Sequence, residues 1–298
     1  MNKKIVIAGG TGFIGSNLNA EFARLGYEVI VISRQAGHIQ WSDEQGIINA
    51  LDGAEMVINL AGKSVNCRYN EANKAEILSS RTLTTKAIGK AILKCKNPPP
   101  LWLNSSTATI YRDARDRPMT ESTGEIGRGF SVDIATQWEQ MFYSFQLPQT
   151  RQIALRIAVV LGDGSVMKPF KNLVKFGLGG KQGNGKQMFS WLHIHDLFNI
   201  ILFIRDNPQL TGAYNCSSPN PVDNSTLMQT IRESMGMKFG LPAYEWMLKI
   251  GAFLIGTETE LILKSRWVLP ERLLEAGYKF EYPEIKPAIE NITNADQS

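Results

Sequence analysis

Gly9, Gly12 and Gly15, each separated from the next by two residues, are the residues of this sequence best suited to chemistry. They lie in the run Gly9-Gly10-Thr11-Gly12-Phe13-Ile14-Gly15. In this spacing the first glycine permits a tight turn, the second lets backbone approach a pyrophosphate, and the third packs a helix against a strand. A helix beginning there also turns its unpaired N–H groups and positive dipole end toward phosphates. Such a motif carries weight only between a strand and a helix. That is its place here: Lys4–Ala8 is an apolar strand-like run, and an amphipathic segment follows at about Gly15–Leu25.

The end of the second strand discriminates between dinucleotides. An Asp or Glu there hydrogen-bonds the ribose 2′-hydroxyl of NAD. This chain has Ser33-Arg34. A carboxylate repels a 2′-phosphate, whereas an arginine pairs with it bidentately and a serine adds a hydrogen bond. The expected cofactor is therefore NADP(H).

The elements that must hold these residues follow from the pattern. Strands are expected at Lys4–Ala8, Glu28–Ser33, Met56–Leu60, Leu101–Ser105 and Ile153–Leu161, with helices at about Gly15–Leu25, Asn70–Lys94 and Val132–Phe145. Continuous apolar strands alternating with helices mean a parallel sheet covered on both faces, the doubly wound α/β (Rossmann) fold. Past Gly162 the pattern changes. A Gly/Lys-rich stretch, Lys175 to Lys186, precedes a strand Met188–His195, a helix from about Asp196 to Arg205 and a strand Ala213–Ser217. The expected division is a cofactor-binding domain over 1–163, with 188–217 returning to it, and a smaller, mostly helical substrate lobe over 164–298. Trp246, Phe253, Trp267, Tyr278 and Phe280 are read as core of that lobe.

Composition narrows the classes. With 298 residues, 43% hydrophobic and 20% charged, the chain is ordinary globular material. A net charge of +4 without a basic cluster argues against nucleic acid as a partner. Cys67, Cys95 and Cys216 form no paired spacing, which fits free thiols in a reducing cytoplasm and no metal site. The apolar run after the first lysines is too short for a secretory signal, and the stretch Trp246–Ile255 is broken by Lys249 and Gly251, so no membrane segment is expected. The expected partner is an unidentified small-molecule substrate, with a homodimer left open as the assembly.

Further motifs join the glycine loop: Asn59-Leu60-Ala61-Gly62, Ser105-Ser106-Thr107, the run Arg156–Gly162, and Trp191-Leu192-His193-Ile194-His195-Asp196. With Ser80-Arg81, Thr85 and Trp138-Glu139, they resemble extended short-chain dehydrogenases/reductases, in particular the atypical branch of nucleoside-diphosphate-sugar epimerase-like proteins, some of which carry a "cell division inhibitor" label. The resemblance implies a Rossmann domain with a small substrate lobe, NADP binding, and hydride transfer on a carbonyl or sugar-nucleotide-like substrate. It places Leu60, Ala61 and Gly62 beside the adenosine or pyrophosphate, Arg81 near the cofactor, and Ser105-Ser106 along the nicotinamide ribose.

Typical members of that superfamily carry Tyr-x-x-x-Lys, in which the ammonium lowers the pKa of the phenol. Here the two possible registers give Ser131/Ala135 or Val132/Thr136, with neither phenol nor amine. Thr107 matches the hydroxyl that holds the substrate oxygen. Tyr111 fits either a substitute acid or a structural tyrosine, with Arg112 or Arg115 as a neighbouring cation, and Glu121 matches an acidic loop position. Strand alternation puts Trp191, His193 and His195 on one face, with Asp196 placed to cap the next helix. The candidate catalytic residues are thus Thr107, Tyr111 and His193. A non-catalytic NADP(H)-binding sensor is the alternative to an enzyme.

Overall fold

The structure, a computed structural model, describes residues 3–164, 166–248 and 263–295. Six parallel strands form one sheet in the order β2-β1-β3-β4-β5-β9. These are β1 (Lys4–Ala8), β2 (Glu28–Ile32), β3 (Met56–Asn59), β4 (Leu101–Thr107), β5 (Arg151–Ile157) and β9 (Gly212–Cys216). Their side chains alternate between two cores, as the pleat requires. Ile5, Ile7, Ile58, Leu103 and Leu155 pack with helices α1 (Phe13–Arg24) and α6 (Ile194–Asp206). Val6, Ala8, Val57, Trp102 and Ala154 pack beneath α2 (Glu44–Leu51), α3 (Glu71–Ile92) and α4 (Phe130–Tyr143). The doubly wound architecture read from the sequence is the one observed.

Three local readings change. The run Ile153–Leu161 is two strands: β5 lies in the main sheet, while β6 (Val159–Leu161) pairs with β8 (Trp191–His193). The chain steps across at Ala158, whose N–H donates to Cys216 O at 3.0 Å, and Val159 N then bonds Ser190 O at 3.3 Å. The expected strand Met188–His195 splits into β7 (Met188–Phe189) and β8, and α6 begins at Ile194. His195 is therefore helical and shares no strand face with His193. Helices α2 and α5 (Met167–Lys175) were not anticipated. Pro169 stands in the first turn of α5, where a missing N–H costs no helix bond.

Helices α5, α7 (Asn224–Ser234) and α8 (Ile285–Ala295) build a separate core from Phe170, Val174, Leu227, Ile231, Ile289 and Ile292. Residues 112–128 are strapped to 265–271: Met119 N bonds Trp267 O at 2.7 Å, Leu269 N bonds Met119 O at 2.9 Å, and Ser122 N bonds the Glu271 carboxylate at 3.0 Å. Of the aromatics assigned to the lobe core, Tyr278 and Phe280 pack on the main-sheet core and Trp267 on a small cluster with Met119. Trp246 is 63% exposed, contrary to that reading, and Phe253 lies outside the described residues. All three cysteines are free, and no described helix is long and apolar enough to cross a membrane. Among the described residues no cluster of His, Cys, Asp or Glu has the makings of a metal site.

Candidate functional site

The strand order reverses direction at β1 and β3, and ligands of open α/β sheets bind at such a switch point. The glycine loop leaves β1 there and packs on the turn after β3. Gly9 has φ of 79°, and a Cβ on it would lie 2.8 Å from Ala61 N. Gly15 is equally constrained, since its Cβ would stand 2.5 Å from Gly9 O. Gly12 differs from both. Its φ of −82° and ψ of 174° suit any residue, and its Cβ would come no closer than 3.6 Å to Gly9 O. The fold itself does not require glycine at position 12. Gly12 also begins α1 without a side-chain cap, so the N–H groups of Phe13, Ile14 and Gly15 face outward from the helix end.

The second hydroxyl of this region has another task than the one read from sequence. Ser33 is buried, pairs with Thr11 Oγ1 at 3.1 Å and accepts from Gln35 N at 3.1 Å. It ties the glycine loop to the end of β2. Arg34 beside it is exposed, and its one ion pair among the described residues is a 4.0 Å approach to Glu76 on α3. No carboxylate occupies the end of β2.

Leu60, Ala61 and Gly62 are held from below by a buried polar network. Buried Asn59 donates to Asn104 Oδ1 at 2.7 Å and to Thr85 Oγ1 at 3.1 Å, and its own carbonyl accepts from Ala61 N at 3.1 Å. Trp138 Nε1 completes it on Thr85 at 2.9 Å. Arg81 lies against Gly62, whose Cβ would meet its guanidinium at 3.1 Å, and over the Trp138 ring. Burial pulls the pKa of Arg81 down to about 10.

Toward the other end of the cleft, β4 turns Ser105 and Thr107 to one side and Ser106 to the other. Thr107 is partly exposed, and its Oγ1 accepts from Thr109 N at 3.1 Å, which leaves its O–H free to donate. Ser106 is buried and donates to Glu139 at 2.6 Å, so its hydroxyl is committed away from the cleft. Glu139 in turn holds Arg156 through two bonds of 2.9 and 2.8 Å. Arg156 donates to the Tyr111 hydroxyl at 2.9 Å, and Tyr111 donates to Asn215 Oδ1 at 3.0 Å. Burial disfavours the charge on Arg156, but the Glu139 carboxylate more than offsets it and raises the arginine pKa. Glu121 ends this chain by accepting from Asn215 N at 2.8 Å, and burial raises its carboxyl pKa.

Two catalytic candidates from the sequence are thereby corrected. Tyr111 is 2% exposed, with its hydroxyl spent on Arg156 and Asn215, and burial raises its pKa. Its cation is Arg156; Arg112 is bound to Asp116 at 2.8 Å and Arg115 to Asp113 at 3.4 Å. His193 is buried, stacks on Tyr282 with centroids 4.0 Å apart, and caps α6 by accepting His195 N on Nδ1. Burial, with His195 adjacent, lowers its pKa to about 4, so it is neutral. Asp196 is not the cap. It lies buried within the first turn of α6 and accepts from Tyr278 Oη, Glu281 N and Tyr282 N at 2.8 to 3.1 Å.

In α4 one register of the usual pair falls on partly exposed Ser131 and fully buried Ala135, which clusters with Ala108 and Tyr111, and the other falls on buried Val132 and partly exposed Thr136. A cavity of about 730 Å³ opens between residues 112–128 and the lobe, lined among others by Arg112, Arg128, Gln187, Tyr244 and Lys264. Arg266 of the lobe reaches across to Thr109 Oγ1 at 3.2 Å.

Comparison with known proteins places this geometry. Residues 5–217 match the NAD dependent epimerase/dehydratase family, and residues 245–292 match a domain of unknown function, DUF1731. Epimerase family protein YfhF of Bacillus subtilis is 30% identical over 97% of both chains. The crystal structure of human epimerase family protein SDR39U1 with NADPH superposes with a TM-score of 0.89 at 30% identity, covering 98% of this chain and 99% of that one. A nucleoside-diphosphate sugar epimerase from Corynebacterium glutamicum gives 0.79 at 26% identity, covering 99% of this chain and 59% of that one.

Proposed function

This chain belongs to the NAD dependent epimerase/dehydratase family, and from that premise we propose that it binds NADP(H) and transfers hydride on a small carbonyl or sugar-nucleotide-like substrate. Gly12 carries the reading. It is a glycine that neither its backbone angles nor its protein neighbours demand, at the uncapped start of a helix on the sheet's switch point. A pyrophosphate approaching the backbone there supplies the missing reason. The crystallised human relative, which holds NADPH, supports the same cofactor.

The residues at the glycine loop suit a pyrophosphate, and the reading extends from there to the rest of the dinucleotide. The loop from Gly9 to Gly15, with the Phe13, Ile14 and Gly15 amides, would hold the pyrophosphate. Arg34 would receive the 2′-phosphate, with Leu60, Ala61, Gly62 and Arg81 along the middle and Ser105 beside the nicotinamide ribose. When bound, the nicotinamide supplies the hydride donor or acceptor. Thr107 orients the substrate oxygen by donating its free O–H. With Tyr111 and His193 engaged elsewhere, the proton comes from solvent, and turnover is correspondingly slow, because positioned general acids contribute ~10²–10⁴ in rate.

Wild-type protein is expected to bind NADPH at least tenfold more tightly than NADH in a fluorescence titration, and Arg34→Ala to remove most of that gap. A bidentate charged hydrogen bond of about 1.5–3 kcal/mol has that size. Equal affinities in the wild type would refute the assignment. On the first substrate that turns over, Thr107→Val is expected to lower kcat more than tenfold while leaving NADPH affinity within twofold. An unchanged kcat would remove Thr107 from the reaction.

The engagement of Tyr111 and the burial of Ala135 favour a second reading, an NADP(H) sensor whose partner protein reads cofactor occupancy. NADPH-dependent capture of a defined partner, with no turnover across a carbonyl and nucleotide-sugar panel, would replace the first reading by this one.

A further inference from the structure

On the β2 side of the cleft, one carboxylate is shared by two cations that come from different strand ends. Arg34 follows β2, and its guanidinium lies 4.0 Å from Glu76 Oε1. Lys63 follows Gly62 at the end of β3, and its ammonium pairs with the other oxygen of Glu76. The two cations therefore stand within the reach of a single carboxylate. They differ in how firmly they are held. Lys63 also donates to Asn73 Oδ1 at 2.7 Å, its backbone N–H bonds Ser80 Oγ at 2.9 Å, and its side chain is only 22% exposed. Arg34 is 76% exposed and has no other ion pair among the described residues.

Long, exposed ion pairs contribute little, so the Arg34–Glu76 approach is easily exchanged for a better anion. A phosphate placed on Arg34 would also enter the field of Lys63, and of Glu76 against it. Attraction to the ammonium and repulsion by the carboxylate act over the same few ångströms and are weakly screened at that range. We propose that Lys63 is a second cation for the 2′-phosphate of NADP(H) and that Glu76 is a built-in competitor for both cations, so that this pair sets the strength of the cofactor preference. This rests on the reading of Arg34 as the 2′-phosphate ligand. NADH carries no charge at that position, and its binding is indifferent to both residues.

The test is a matched titration of NADPH and NADH into the full chain and its variants, at low and at high salt. Glu76→Gln keeps the shape and the hydrogen bonds to Lys63 while removing the charge. It is expected to tighten NADPH three- to tenfold and to leave NADH within twofold. Lys63→Met is expected to weaken NADPH at least fivefold with NADH unchanged, and Lys63→Arg to restore the preference. Raising the salt concentration shrinks each difference. Wild-type protein that prefers NADPH, combined with Glu76→Gln and Lys63→Met variants whose NADPH/NADH ratio matches wild type, overturns the roles of Lys63 and Glu76 alone. Lys63→Met that weakens both cofactors equally makes Lys63 a support of the β3 turn and also overturns them. Wild-type protein without any preference instead overturns the Arg34 assignment on which they depend.

Discussion

Replacing Gly12 with valine is expected to abolish NADPH binding, by a hundredfold or more in Kd, while the protein stays folded. The two halves of this result have separate causes. A valine at 12 keeps allowed backbone angles and meets no protein atom closer than Gly9 O at 3.6 Å, measured to its Cβ. The cost to the fold is confined to a poorer helix cap, about 1 kcal/mol or less. The same isopropyl group is expected to stand over the Phe13, Ile14 and Gly15 amides of the uncapped helix end and to bar a pyrophosphate from them. Gly15→Ala is the complementary control. Its Cβ would lie 2.5 Å from Gly9 O, so it is expected to lower the unfolding midpoint as well as affinity. Isothermal titration beside a urea melt separates the two outcomes. Gly12→Val with wild-type affinity would reduce the loop to a structural turn.

The largest stability loss is expected from Glu139→Ala, about 3–5 kcal/mol by urea denaturation. The Glu139 and Arg156 side chains are 12% and 15% exposed, and removing one member of a buried pair strands the other charge. Ser106 loses its acceptor in the same step. Glu139→Gln retains an acceptor for Ser106 and one for Arg156, and is expected to cost less. A double-mutant cycle with Arg156→Ala should return a favourable coupling, since the second substitution relieves the stranded guanidinium. A loss below about 0.5 kcal/mol for Glu139→Ala, the range of ordinary surface changes, would show that the pair is effectively solvated.

Much of the cofactor half was legible in the sequence. Gly9, Gly12 and Gly15 between an apolar run and an amphipathic one define strand, turn and helix together, and the parallel sheet follows from repeated apolar strands. The errors came where side chains serve the tertiary structure. Asn59 reads only as part of a strand-end motif and Ser106 as lying along the nicotinamide ribose, but their partners Thr85, Asn104 and Glu139 come from α3, β4 and α4, which no local window contains. Periodicity continued β5 through Ala158 because the break is made by Cys216 and Ser190, neither of which is a neighbour in sequence. His193 and Asp196 carry chemistry-bearing side chains that the fold uses as a helix cap and a clamp on residues 278–282. Helix α2 escaped because it is eight residues long with Gly46 inside it. Its one sequence signal was Asp43, whose carboxylate caps Gly46 N at 2.8 Å.

The strap between residues 112–128 and 265–271 also fixes an order of events in the cell. Asp113 and Ser265 are 152 positions apart and Ser122 and Glu271 are 149 apart, so one half of the strap leaves the ribosome long before the other. At translation rates of about 5–20 residues per second, that interval is on the order of ten seconds. During it the glycine loop, β3 and β4 can already be assembled, because their contacts lie within the emerged chain. Met119 and its neighbours cannot be, since their backbone partners are not yet synthesised. The nascent protein can therefore pair β1 to β4 early, and exposes residues 112–128 to chaperones and proteases until 265–271 have emerged.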